Sequence, residues 1–467
     1  MKRSLSLDEI LSSLPDTTAE LLLRVVRAGE SLGTPIHLVG GPIRDLLLGR
    51  SLVDVDLVVE GDVRELGDAV ARDSVDGRIE IESHDRFGTL RIQSTDARVD
   101  LARLRSESYA APGALPEVAV GTFEEDLRRR DFSVNAMVCL LDSNEPGRSV
   151  PIVDLLGGLT DLRGRKLRIL HSRSFHDDPT RAFRAARLAA RLGFSLDRKS
   201  RSALRDALRD GAFGAVSGER WRRELQQTFE EAERGVHVGH VLKTLSSWHV
   251  LTALEPGLQL GADRLVPLRR LSRSIANPEW VAPRWRPWLA GLSIWLAPLP
   301  AALRRRTLER FSIRGEQAKR IVQFGRDAER MLRTLTKTRG RGAVDAILSD
   351  LPEETIQALH ALADISVRRR ILRWGAEDRR RRAPVGGAEI AELGLSGPDV
   401  GRALARIRAG FLDGEIANRE EALALAEEFA KRVNRRRRPG RKKASARRRV
   451  ARRSTIADTV ADGRSPD

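Results

Sequence analysis

The sequence predicts an α+β chain, with a head built on a mixed β-sheet with helices, followed by an all-helical remainder. Three observations predict it. Between about residues 36 and 154 short β-branched runs alternate with brief helical stretches. Beyond Leu170 the strand signal stops, and residues 182–192, 201–209 and 220–230 carry apolar side chains at helical spacing. A length of 467 residues also exceeds one compact core, so two to four domains are expected.

Taken in order, residues 1–35 read as N-terminal helices, the first amphipathic and starting after Ser4 or Ser6. Residues 36–160 form the head, and its informative stretch is 38–60, LVGGPIRDLLLGRSLVDVDLVVE. An apolar strand meets the paired-glycine turn Gly40-Gly41, a short helix carries Arg44 and Asp45, and Asp54-Val55-Asp56 lies in a second apolar run. Side chains two apart on a strand share a face, so Asp54 and Asp56 converge on one spot and suit a divalent cation. The glycine turn opens a helix, where backbone N–H groups and the positive dipole end can receive a phosphate. The plain alternative is an ordinary turn and a solvated edge strand. Val55, Leu57, Val58 and Val59 favour an interior strand, where unpaired acids are costly.

Residues 161–245 are a helical neck and 246–383 a helical body, with joints at residues 277–287, at Pro298-Leu299-Pro300 and at 379–384. Residues 384–433 are a helical tail punctuated by Gly394, Gly397-Pro398 and Gly414. Trp280, Trp285, Trp288 and Trp295 could stack on RNA bases but are better suited to anchoring a core. Residues 434–467 are read as a disordered basic tail. Residues 431–453 hold fourteen Lys or Arg and no acid, and removing them from the total of +18 leaves +4. A polycation of this kind releases counterions from RNA, and it equally serves as a solubilising tail.

Composition excludes several classes. The single cysteine, Cys139, excludes a disulfide framework and a cysteine-ligated zinc site, and reads as a buried small hydrophobe. Eight scattered histidines show no metal-binding spacing. The N-terminus lacks a signal-peptide core, and the longest apolar run, residues 285–299, is broken by Pro287 and Pro298, so a cytoplasmic protein is expected.

Residues 38–60 resemble the opening GGxVRDxLLG and DxD blocks of the class II tRNA nucleotidyltransferase and bacterial poly(A) polymerase family. The resemblance continues in the same order. Residues 97–102, ARVDLA, look like the family's acidic third strand, and residues 129–137, RRDFSVNAM, like its RRDFTxNAM block. Residues 154–168 resemble its DPxGGxxDLxxGxxR connector. Asp177-Asp178-Pro179-Thr180-Arg181, with Arg184, Arg187 and Leu192-Gly193-Phe194, resembles EDPxRxxRAxRFAxxLGF, with Asp177 where many relatives carry Glu. Residues 217–225, SGERWRREL, close the series.

The resemblance implies a catalytic head, with Asp54 and Asp56 holding Mg²⁺ so that an RNA 3′-hydroxyl attacks an α-phosphate and pyrophosphate leaves. Asp100 would stand beside them as a third carboxylate, unless it pairs with Arg98 or Arg103. The triphosphate would lie against Gly40, Gly41 and Arg44, with Arg130, Asp131 and Asn135 nearby. Asp45 could bind there or brace Arg44, and Asn135 could serve only a turn.

Asp178 and Arg181, three apart, would share a helix face and read the nucleobase. Cytosine and adenine both show an amino donor beside a ring acceptor, whereas uracil and guanine show a carbonyl where the amino group should be. Asp178 before Pro179 also has the form of a helix N-cap. Arg184 and Arg187 would continue toward the phosphates or form a solvated stripe. Glu219, Arg220, Arg223 and Glu224 are read as structural.

The expected function is addition of CCA, or part of it, to tRNA from CTP and ATP without a nucleic-acid template. The segment containing HDRFGT, residues 84–89, is not shortened, which argues against a C-only enzyme; it would reshape the pocket between C and A addition. A-only addition and poly(A) synthesis are the alternatives within the family, although the acidic Glu60-Gly61-Asp62 lacks the basic-aromatic character expected of poly(A) polymerases. A non-catalytic RNA-binding protein is the alternative from another class.

Overall fold

The structure, a computed structural model, describes residues 2–52, 55–72, 79–84, 88–277 and 286–437. These fall into two compact units, residues 2–277 with 286–327, and residues 328–437.

The first unit opens with helices Leu7–Leu11 and Asp16–Ser31, and Ser6 caps the first in a reciprocal box with Glu9. A mixed six-stranded sheet follows, in the order Glu80–His84, Thr89–Gln93, Arg98–Arg103, Asp56–Val59, Ile36–Val39, Val138–Leu140. Only Asp56–Val59 and Arg98–Arg103 run parallel. Alternation decides the faces. Leu38, Leu57, Leu90, Ile92, Val99 and Leu101 are buried on one side. There they meet helices Asp16–Ser31 and Val63–Arg72, which bury Val25, Val26, Leu66 and Val70. At about 25 cal/mol per Å² of apolar area, this layer is what stabilises the head.

The opposite face is partly covered as well. Helix Phe123–Arg128, capped by Thr122 with Glu125, lays Leu127 and Phe123 over Val39, Val58 and Val138. It covers one corner and leaves the Asp56 end of the sheet open. A hairpin of Arg105–Ser108 with Glu117–Val120 leads into this helix.

Helices Arg181–Leu192, Arg198–Arg209 and Gly218–Glu230 follow, close to the spans that periodicity predicts, and helix Val238–Ser247 comes after them. Trp221 is fully buried, stacked on Phe213 at 5.7 Å and against Phe183 at 5.4 Å. In helix Pro287–Leu296, Trp288 and Trp295 are buried, and Trp295 Nε1 donates to the Gln259 carbonyl at 2.9 Å. Both are core anchors; Trp280 and Trp285 lie outside the described residues. Cys139 is buried in its strand. Among the described residues no helix is long and apolar enough to cross a membrane.

The second unit is helical. Gly342 lets helix Arg341–Leu348 approach helix Pro398–Asp413 so closely that a Cβ would lie 2.5 Å from Ala409 Cα. Beside this contact the buried Asp345 accepts from Arg408 Nε at 2.6 Å, Arg408 Nη2 at 2.8 Å and Trp374 Nε1 at 2.8 Å. Bidentate pairing of this kind outlasts single contacts. Replacing Asp345 by Ala strands both donors, and a loss of about 3 kcal/mol is expected in urea denaturation. A change below about 0.5 kcal/mol, the range of ordinary surface substitutions, would contradict this role.

Candidate active site

On the open face of the sheet, Asp56 and Asp100 are register partners on neighbouring parallel strands, so their side chains project to the same side. Asp54 lies outside the described residues. Asp56 is exposed and lines the cleft described below. Asp100 is different. Its cross-strand partner in the antiparallel direction is Arg91, whose Nε donates to Asp100 Oδ1 at 2.7 Å, and Arg98 Nε lies 3.4 Å from Oδ2. The ion-pair alternative for Asp100 is the one observed, through Arg91 and Arg98 rather than Arg103, and it weakens Asp100 as a metal ligand. Among the described residues no group of three or more His, Cys, Asp or Glu is placed to hold a metal ion.

Beside this face, Gly40 turns the chain at φ 74°, a conformation that side chains rarely tolerate. The turn opens helix Gly41–Leu47, which directs Arg44 inward. Arg44 is buried: its Nε and Nη2 donate to the two Asp45 oxygens at 2.9 and 2.7 Å, and Nη1 donates to Asn135 Oδ1. Asp45 therefore braces Arg44, and Asn135 joins Arg44 to Asp131 by donating to Asp131 Oδ1 at 3.1 Å. Arg130 Nη1 would lie 3.3 Å from a Cβ at Gly40. Arg130 is held there by Asp126 at 2.8 Å. Asp126 also binds Arg129 at 2.6 Å, so one buried acid sets two consecutive arginines.

Asp131 joins sheet to neck. Its Oδ1 accepts from the Phe132 backbone at 2.8 Å and its Oδ2 from Arg184 Nε at 2.9 Å. Burial alone would raise its pKa, but Arg184 and the Asn135 hydrogen bond overcome that and hold it down to about 2. A carboxylate depressed in the folded state stabilises fully above about pH 4 and ceases to do so as pH falls toward 2. Arg184 remains about half open at 48% exposure, so screening reduces the gain to about 1–2 kcal/mol. Urea titrations of Asp131→Asn should show that deficit from pH 7 to 5, shrinking below pH 4. A deficit independent of pH would contradict it.

The neck residues depart from expectation. Asp178 and Arg181 do not share a helix face, because helix Arg181–Leu192 begins only at Arg181 and Asp178 is extended. Asp178 does serve the turn: its Oδ1 accepts from Thr180 N at 3.1 Å and Thr180 Oγ1 at 2.6 Å. A third donor, Arg220 Nη2, reaches the same oxygen at 2.8 Å. All three converge on Oδ1, and Asp178 lines the cleft described below. Arg181, buried at the helix start, donates to Ser174 Oγ at 2.6 Å and to the Arg129 carbonyl at 2.7 Å. Arg187 is buried rather than solvated, with donors to Glu224 Oε2 at 2.6 Å and Gln227 Oε1 at 2.8 Å, and it too lines the cleft described below.

Head and neck thus enclose one open cleft of about 1330 Å³, lined by Gly40, Arg44, Asp56 and Arg130 from the head and by Asp178, Arg181 and Arg184 from the neck. Sequence reading missed Asp126, Glu107, Tyr109 and the direct bond of Arg220 to Asp178. Asp126 had a signal, since it stands three and four residues before Arg129 and Arg130 on a helix end. Of the HDRFGT loop, residues 85–87 lie outside the described residues.

Residues 36–168 match the model of the poly A polymerase head domain. The chain is 29% identical over 440 residues to the A-adding tRNA nucleotidyltransferase of Halalkalibacterium halodurans, covering 91% of this chain and 95% of that protein. It is 30% identical to the A-adding tRNA nucleotidyltransferase of Geobacter sulfurreducens over 89% of this chain, and spans about half of that relative's length, 48%. A solved CCA-adding enzyme in an apo form superposes with a TM-score of 0.71 at 26% identity, covering 91% of this chain and 99% of that one. The head thus matches the poly A polymerase head domain, and the chain as a whole is similar to A-adding and CCA-adding tRNA nucleotidyltransferases. The glycine turn, Asp56, Asp100 and residues 129–137 fall inside the matched head segment. Asp178 and Arg181 lie just beyond it, on the helical side of the cleft.

Proposed function

We propose that the chain is a template-independent tRNA nucleotidyltransferase, adding CCA or part of it to tRNA 3′ ends from CTP and ATP and releasing pyrophosphate. The observation that carries this reading is the single cleft that brings the exposed Asp56 together with Arg44, Arg130 and Arg184 on one side and Asp178 and Arg181 on the other. On this reading residues 36–160 are the catalytic head and residues 161–245 the neck that reads the base, and the enzyme works in the cytoplasm.

Asp56, with Asp54, would hold Mg²⁺, which when bound supplies activation of the RNA 3′-hydroxyl and neutralisation of the leaving pyrophosphate. The protein's own groups do the rest. Arg44, fixed by Asp45 and Asn135, and Arg130, fixed by Asp126, present oriented cationic donors to the triphosphate. Arg184, half open and beside Asp131, adds a third. Asp178 Oδ2 accepts the amino hydrogen that cytosine and adenine share, and the remaining N–H groups of Arg181 face the ring acceptor. A uracil or guanine carbonyl would confront the carboxylate instead, which is the basis of rejection.

A second reading, addition of the terminal A alone, is supported by two relatives that align with about nine-tenths of this chain and are named A-adding enzymes, beside a CCA-adding enzyme that aligns with 85% of it. Purified protein given tRNAs ending before CCA, after one C or after two, with CTP, ATP or both, separates the readings by product length on a gel. Three added nucleotides identify CCA synthesis, one A on the CC-ending substrate identifies A addition, and a long ladder identifies poly(A) synthesis. No extension of any substrate would overturn the enzymatic reading.

A further inference from the structure

We propose that Tyr109 forms the wall against which the base of the incoming nucleotide stacks, an inference that rests on the functional reading above. Hydrogen bonds to Asp178 and Arg181 can select a base edge, but a planar ring also needs a surface across its face. Tyr109 is the chain's only tyrosine, and among the described residues lining the cleft it is the only aromatic side chain. The remaining lining is largely charged.

The ring is also fixed. Its hydroxyl donates to Glu107 Oε2 at 2.9 Å. Glu107 is itself nearly buried, at 7% side-chain exposure, and its other oxygen accepts from Arg129 Nη1 at 2.9 Å and lies 3.0 Å from Arg105 Nη2. Arg129 is the residue whose carbonyl holds Arg181, so one side chain and its own backbone set both Tyr109 and the proposed base reader. Four residues on, Gly113 docks the same loop against the neck. Its N–H donates to the His176 carbonyl at 3.1 Å, and its carbonyl accepts from Arg220 Nη1 at 2.8 Å. Arg220 is the arginine that orients Asp178. Burial, and then the negative charge of Glu107, raise the phenol pKa, so the hydroxyl stays protonated and donating throughout the working pH range. Ring, Asp178 and Arg181 therefore belong to one hydrogen-bonded frame.

A lone tyrosine permits a direct test. The full chain grown with 3-fluorotyrosine gives a single ¹⁹F resonance, which ATP and CTP are each expected to shift saturably while tRNA alone does not. Equilibrium dialysis with labelled nucleotide fixes the occupancy independently. Tyr109→Ala should raise KM for the nucleotide about tenfold, the order of one lost base stack, with a smaller change in kcat. Tyr109→Phe, which keeps the ring but frees it from Glu107, should fall between wild type and Tyr109→Ala. Nucleotide bound in dialysis with an unmoved resonance, a resonance moved only by RNA, or an unchanged KM in Tyr109→Ala would overturn this inference alone. No nucleotide bound in dialysis would overturn the functional reading and this inference with it.

Discussion

Asp56→Asn is expected to lower nucleotide incorporation about 10³-fold, the equivalent of about 4 kcal/mol in barrier, while leaving tRNA affinity unchanged. The reason lies in position. Asp56 sits at the start of strand Asp56–Val59, where the sheet leaves the cover of helix Phe123–Arg128, and its exposed carboxylate faces the cleft. The substitution keeps the shape and removes the negative charge that a divalent cation requires. Because Asp56 is exposed, its loss creates no cavity, so a melting curve close to wild type should accompany the inactivity. Single-nucleotide incorporation and filter binding on the same preparation check both halves. Substantial activity in the variant would remove Asp56 from the proposed machinery.

Asp178→Asn should erode base selection rather than the fold. The amide oxygen can keep the place of Oδ1, accepting from Thr180 and Arg220, while the amide NH₂ replaces Oδ2, the proposed acceptor of the base amino group. An acceptor aimed at the base thus becomes a donor. The preference for CTP and ATP over UTP and GTP is expected to fall about 10–100-fold, the value of one buried polar group with the wrong partner. Asp178→Ala would lose the same selectivity and in addition leave Arg220 and the Thr180 hydroxyl without their acceptor, so it should melt lower than Asp178→Asn. Competition between UTP and ATP in one reaction reads the first effect, and thermal denaturation reads the second. Unchanged selectivity in both variants, with lower melting in each, would reduce Asp178 to the helix-start role that the residues around Pro179 also permit.

These two residues show where sequence reading succeeds and where it stops. Alternation within one strand puts Asp54 and Asp56 on one face because strand periodicity is local, whereas Asp100 was placed beside them only by the resemblance, and its pairing with Asp56 is a register between strands. The ion pair that occupies Asp100 was not legible, since its partner Arg91 depends on the antiparallel register between strands Thr89–Gln93 and Arg98–Arg103. Ser6, the neck helices and the buried Trp295 followed from capping chemistry and helical spacing. The shared helix face of Asp178 and Arg181 failed because Asp178 leaves the helical conformation to bond Thr180, and its third donor, Arg220, comes from another helix. The solvated stripe allowed for Arg187 is absent for a related reason: the guanidinium is buried against Glu224 and Gln227 on helix Gly218–Glu230, a partnership that only tertiary packing creates. Tyr109 and Glu107 carry no periodic signal. Their significance comes from Arg129, and only the folded chain brings the three together.

A crystal structure of the protein with Mg²⁺ and a non-hydrolysable analogue of CTP or ATP should show the triphosphate beside the Gly40 turn with the cation at Asp56, and the base amino group within hydrogen-bonding distance of Asp178 Oδ2. A nucleotide bound elsewhere, or bound in this cleft with Asp56 turned away from a cation and Asp178 away from the base, would contradict the proposed function.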